Sequence, residues 1–122
     1  MESHWLNYIK VKDSYERISC LLDAPVIVDP DQPKTAERFD LSFENIGFHY
    51  EKEGFEMKDL TFNVPEWTVT ALVGSSGSGK TAITNLLLRF WEPQAGCIRI
   101  GGVDIREMDY DYLLGKISVV MQ

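Results

Sequence analysis

The sequence has 122 residues, of which 44% are hydrophobic and 25% charged. These proportions are ordinary for a soluble globular chain and exclude collagen, coiled coil and wholesale disorder, while the length excludes two complete domains. A formal net charge of −7 argues against nucleic acid as a partner, because non-specific binding needs clustered Lys and Arg.

Cys20 and Cys97 are the only cysteines and have no zinc or redox spacing, so two reduced thiols are expected. No apolar run approaches the roughly 18 residues that a membrane span requires. Met1 to Trp5 lacks the basic and apolar regions of a secretory signal.

Residues 1–22 read as an amphipathic helix. Trp5, Tyr8, Ile9, Tyr15, Ile18, Leu21 and Leu22 recur at three- and four-residue steps, with charged residues between them. Residues 23–39 read as a linker, because Pro25, Pro30 and Pro33 remove backbone donors and restrict their neighbours. From Asp40 the period changes to two. Leu41, Phe43, Phe48 and Tyr50 suggest a strand ending near Tyr50, and Glu51 to Gly54 a polar turn. Leu60, Phe62 and Val64 give a second strand, closed by a turn at Pro65-Glu66.

Thr68 to Val73 is a nearly continuous apolar and β-branched run, the pattern of a strand buried on both faces. A Gly- and Ser-rich stretch follows. Ile83, Leu86, Leu87 and Phe90 then predict a helix from Lys80 to Trp91, stopped by Pro93 and Gly96. Ile98 and Ile100 mark another strand, Asp104 to Gly115 a loop and short helix, and Ile117 to Met121 a final apolar strand.

Between the Thr68–Val73 run and the Lys80 helix lies Gly74-Ser75-Ser76-Gly77-Ser78-Gly79-Lys80-Thr81. It matches G-x-x-x-x-G-K-[ST] in full, in the strand-to-helix setting that the phosphate-binding P-loop requires. The glycines open backbone conformations closed to other residues and allow close approach. Loop amides can then converge on an anion, joined by the free amides and dipole of the helix start. Lys80 supplies a cation for the outer phosphates. The Thr81 hydroxyl is a hard oxygen suited to Mg²⁺.

The motif, with Ile83 to Phe90, Pro93 to Gly96, Ile98 to Ile105 and Ile117 to Gln122, resembles the nucleotide-binding domain of an ABC transporter over residues 40–122. Residues 1–38 are similar to the cytosolic end of the last transmembrane helix and linker of exporter-type members. The resemblance implies an α/β P-loop NTPase fold: an antiparallel β subdomain plus a P-loop strand and helix. It implies ATP and Mg²⁺ as ligands, held by Gly74, Ser75, Ser76, Gly77, Ser78, Gly79, Lys80, Thr81 and Ala82. Phe48-His49-Tyr50 is similar to the aromatic A-loop, with Tyr50 stacking on adenine. Gln122 is similar to the Q-loop glutamine, a second metal contact beside Thr81. The implied partners are ATP or ADP, a transmembrane domain and a second nucleotide-binding domain. The implied location of the parent protein is the cytoplasmic face of a membrane, with this piece soluble.

Two departures stand out. Ala82 replaces the usual second hydroxyl after Thr81. Pro65-Glu66-Trp67 replaces a glycine-containing turn, so a positive φ there would strain Trp67 by roughly a kcal/mol. No Leu-Ser-Gly-Gly-Gln signature and no apolar strand ending in Asp-Glu follow the P-loop. Val26 to Asp29 imitates such a strand but precedes the P-loop. His4 and His49 read as surface or packing residues. The sequence therefore reads as the front part of the domain, cut at the Q-loop and without ATP turnover of its own. Two alternatives are another P-loop class, such as a kinase or GTPase, and a non-catalytic piece that binds a helical partner through residues 1–22.

Overall fold

The computed structural model describes residues 26–51 and 54–120, together with Lys12, Ser14, Tyr15, Ile18, Ser19 and Leu22. Those six isolated residues are helical. The rest of the expected 1–22 helix, and with it His4 and Cys20, lies outside the described residues, as do Met121 and Gln122.

Four antiparallel strands form one sheet in the order β2-β1-β3-β4. They are β1 (Leu41–His49), β2 (Glu56–Val64), β3 (Ala95–Ile100) and β4 (Val103–Asp104). β1 is central. Phe43 faces Phe62 on β2 and Ile98 on β3, and the Phe43 and Phe62 rings stack at 4.5 Å. Two chain irregularities keep apolar side chains on the core face. Asn45 in β1 and Asp59 in β2 take left-handed φ values of 49° and 50°. Each sits where the pairing register shifts, so Phe43, Ile46 and Phe48 are all buried although strict alternation would separate them.

One helix, α1 (Lys80–Leu87), lays Ala82 and Leu86 into the core. Ile98 and Ile100 of β3, Ile105, Met108 and Leu113 complete the same cluster. Ile105 belongs to a 3-10 turn, Ile105–Glu107, and Leu113 to α2 (Tyr110–Lys116). The Asp109 side chain caps α2 by accepting from the Tyr112 amide at 2.9 Å.

Residues 26–40 have no regular structure, in keeping with their prolines, yet they are fastened to the domain. Ala36 is buried. Its amide donates to the Tyr112 hydroxyl, which in turn donates to the Ala36 carbonyl. The Lys34 amide donates to the Glu107 carbonyl and its ammonium pairs with the Glu107 carboxylate, each at 2.8 Å. Asp29 accepts from the Tyr110 amide at 2.9 Å.

Three expectations need correction. Thr68 to Val73 forms no strand and is exposed, with Val69 at 101% and Val73 at 90%. Residues 117–120 likewise form no strand, and Val120 is 92% exposed. The reason is shared: a strand is stabilised by its ladder, and neither run pairs with a strand among the described residues. The third concerns α1, which stops at Leu87 rather than Trp91. Arg89 turns left-handed at φ 55°. Its amide bonds back to the Leu86 carbonyl, and the Phe90 amide bonds to the Asn85 carbonyl. These paired bonds are a Schellman cap with arginine where glycine is usual.

Trp67 has φ 59° and is fully exposed, so the turn before the P-loop does impose the strained conformation on it.

Asp104 and Arg89 are the buried charged residues among those described, and the Asp104 carboxylate has a shifted titration. Burial pushes its pKa up, but bonds from the Arg106 side chain and amide outweigh this and hold it below the ordinary carboxylate range. The guanidinium reaches Asp104 at 2.7 and 3.0 Å and the amide at 2.9 Å. A carboxylate with a depressed native pKa contributes stability above its unfolded pKa and loses it as pH falls through the native value. Acid titration followed by circular dichroism should show that loss below the ordinary carboxylate range, and Asp104→Asn should flatten that part of the profile.

Candidate functional site

The Gly74–Thr81 loop runs directly into α1. Gly77 and Gly79 take φ values of 79° and 96°, and Gly79 is the N-cap. No side chain caps this helix end, and its first turn holds no acidic residue. The first intrahelical bond runs from the Ile83 amide to the Gly79 carbonyl at 3.0 Å. The amides of Lys80, Thr81 and Ala82 therefore have no intrahelical acceptor and carry the positive end of the helix dipole.

Lys80 folds back over its own loop. Its ammonium donates to the Gly74 carbonyl at 2.8 Å, the Ser75 carbonyl at 2.7 Å and the Ser78 hydroxyl at 3.3 Å. The Ser78 amide closes a turn onto the Ser75 carbonyl. A methyl group at Gly74 would collide with the Ser78 side chain, which explains the glycine there.

A cavity of about 560 Å³ opens over this loop. One wall is polar and belongs to the motif: Ser76, Gly77, Gly79, Lys80, Thr81 and Ala82, with Asn85 one turn further along α1. The other wall is aromatic: Tyr50, Phe55 and Trp91. The sequence-expected residues divide accordingly. Ser76, Gly77, Gly79, Lys80, Thr81, Ala82 and Tyr50 line the cavity, whereas Gly74, Ser75 and Ser78 brace Lys80 from behind. Gln122 lies outside the described residues. His49 is not among the lining residues; its backbone exchanges two hydrogen bonds with the Gln94 side chain, at 3.0 and 3.2 Å.

Sequence reasoning missed Phe55, Asn85 and Trp91. Phe55 follows a polar turn and packs its ring against Gly79, where an added Cβ would meet it at 2.6 Å. Trp91 was expected to be helical, and the Schellman cap removes it from the helix. The available signal was local: two aromatics flanking a phosphate-binding motif that has a third, Tyr50, upstream.

Charge within the site favours anions. Among the described residues no carboxylate lines the cavity, and Lys80 is the cation on its wall. Elsewhere Glu44 is held below the ordinary carboxylate range by hydrogen bonds from Arg99 and then Cys97. Burial, with the Glu44 bond, raises the free Cys97 thiol, so this cysteine is no activated nucleophile.

Residues 57–122 match the model of the ABC transporter family. The mitochondrial iron-sulfur clusters transporter ATM1 of Saccharomyces cerevisiae is 37% identical over 116 residues, covering 95% of this chain and 15% of that protein. The ATP-binding subunit of the mitochondrial potassium channel of Homo sapiens is 41% identical over 87 residues, covering 70% of this chain and 12% of that one. Among solved structures, a bacterial Atm1-family ABC exporter with ATP bound superposes with a TM-score of 0.72 at 32% identity. It covers 85% of this chain and 19% of that one. The chain thus spans a small part of the relatives it matches.

The Gly79 geometry generates a stability test. Any Cβ there meets both a left-handed φ and the Phe55 ring. Gly79→Ala should cost about 1–2 kcal/mol on the backbone alone. Thermal unfolding should show it as a lowered midpoint, whereas Gly77→Ala, with open space at its Cβ, should lower it less.

Proposed function

The chain belongs to the ABC transporter family, and from that premise we propose that it is the ATP-binding portion of an exporter-type transporter. The observation that carries the reading is the two-walled cavity, with free helix-start amides and Lys80 on one wall and Tyr50 on the other. The triphosphate lies along Gly74 to Ala82 and the adenine on the Tyr50 face. Binding moves the Lys80 ammonium from the Gly74 and Ser75 carbonyls to phosphate oxygens, exchanging neutral acceptors for charged ones.

Mg²⁺ fits the donor set. Thr81 offers one exposed hydroxyl on the cavity, and no cluster of three His, Cys, Asp or Glu exists among the described residues. Mg²⁺ accepts such a site because it keeps several waters and takes its remaining ligands from phosphate. Gln122 is the second proposed contact.

In the whole protein this portion works with a transmembrane domain and a second nucleotide-binding domain. Together they couple ATP hydrolysis to transport at the cytoplasmic face of a membrane. No helix among the described residues is long and apolar enough to cross one. By itself the chain binds nucleotide without turning it over. Water attack needs an orienting group, and no carboxylate among the described residues lines the cavity.

Calorimetric titration with Mg-ATP tests the reading. Lys80→Ala should abolish most of the affinity and leave the circular dichroism spectrum intact; unchanged affinity would refute the assignment. Tyr50→Ala should weaken binding by roughly 1–3 kcal/mol, the range for base–aromatic stacking. Phosphate release should match that of Lys80→Ala, and release that depends on Lys80 would show that a catalytic base has been misplaced.

A further inference from the structure

Trp91 occupies an unusual position. It lines the P-loop cavity, and it also lines a second cavity of about 720 Å³ with Val26, Val28, Arg89 and Phe90. Its indole meets the Tyr50 ring at 5.4 Å between centroids and at 87°. On another side of Tyr50 the buried Phe48 ring stands at 4.8 Å and 83°. Tyr50 therefore has two perpendicular aromatic neighbours, the arrangement that ring quadrupoles favour. Phe48 is fixed by the core. Trp91 is 48% exposed and follows a fixed point of the chain: the left-handed Arg89 ends α1, and the Arg89 guanidinium is buried beside Glu92 and over the Tyr110 ring.

A stacking platform is only useful if its face is held toward the base. A tyrosine just past a strand end can turn about its first side-chain torsion, and each turn between staggered wells re-aims the ring. Phe48 and the tilted Phe55 ring, 6.1 Å away, restrict that freedom on two sides, and the perpendicular contact with Trp91 restricts it on a third before any ligand arrives, which lowers the ordering cost of binding.

We infer that Trp91 is a positioning residue for base recognition: it holds the Tyr50 ring in the orientation that stacks on the adenine. The inference rests on the reading of this cavity as a nucleotide site. It assigns a role to a residue outside the P-loop motif and the aromatic strand end. The role acts on the base and not on the phosphates, which gives it a distinctive signature.

The test is calorimetric titration of the 122-residue chain with Mg-ATP and, separately, with inorganic tripolyphosphate and Mg²⁺. Trp91→Ala should weaken ATP binding about 2- to 10-fold, the range of one aromatic pair, and leave tripolyphosphate binding unchanged. Trp91→Phe, which restores a ring, should recover most of the ATP affinity. In a Tyr50→Ala background, Trp91→Ala should have no further effect. Equal losses for both probes would mean a general structural role and would overturn the inference. So would additive losses in the double variant, which would place Trp91 on the base itself, or unchanged ATP affinity in Trp91→Ala. A parent chain that binds neither probe would instead overturn the nucleotide reading, and the inference with it.

Discussion

The start of α1 is the constraint on which the site depends. A helix begins with amides that its own carbonyls cannot satisfy. Here the left-handed Gly79 brings those amides to the floor of a cavity, with no capping side chain to occupy them. The placement holds because the same helix drives Ala82 and Leu86 into the sheet core within its first two turns. Truncating a buried leucine such as Leu86 typically costs about 2–5 kcal/mol, so the donors are anchored by core packing. The aromatic wall hangs from the same core through Phe48, which is buried beneath Tyr50.

Net charge and local charge point in opposite directions. The chain is acidic at −7, yet among the described residues the cavity is lined by no carboxylate and contains Lys80. At physiological ionic strength, charges further away than about 8 Å are largely screened, so nearby donors dominate what a phosphate meets. Several acidic groups are engaged elsewhere. Asp104 binds Arg106, Glu44 binds Arg99, and Glu107 binds Lys34 across the packed segment that precedes the sheet.

Legibility in the sequence followed the range of the forces involved. The P-loop, the start of α1, and the central and third strands were readable because short-range periodicity and glycine placement determine them. The strain at Trp67 was readable only through the family resemblance, in which that turn usually holds a glycine, and the positive φ at Trp67 bears out the condition. The end of α1 was not. A Schellman cap is expected at glycine, and here it falls on Arg89, whose left-handed backbone coincides with a buried guanidinium. The bulges at Asn45 and Asp59 were hidden because they show only when two strands pair. Thr68 to Val73 has strand composition, but composition supplies no partner, and none pairs with it among the described residues. Phe55 and Trp91 escaped for a related reason. Each joins the site through a contact with Gly79 or Tyr50 that sequence spacing does not encode.

The account stands on one claim: the free amides at the start of α1 and the Tyr50 wall hold opposite ends of one nucleotide. Backbone amide chemical shifts measured during an Mg-ATP titration test it most directly. The account predicts the largest changes at Gly77, Gly79, Lys80, Thr81 and Ala82. A second cluster should appear at Tyr50 and should be lost when tripolyphosphate replaces ATP. Changes concentrated around Val26, Val28 and Phe90 in the second cavity, with the P-loop amides unmoved, would contradict it.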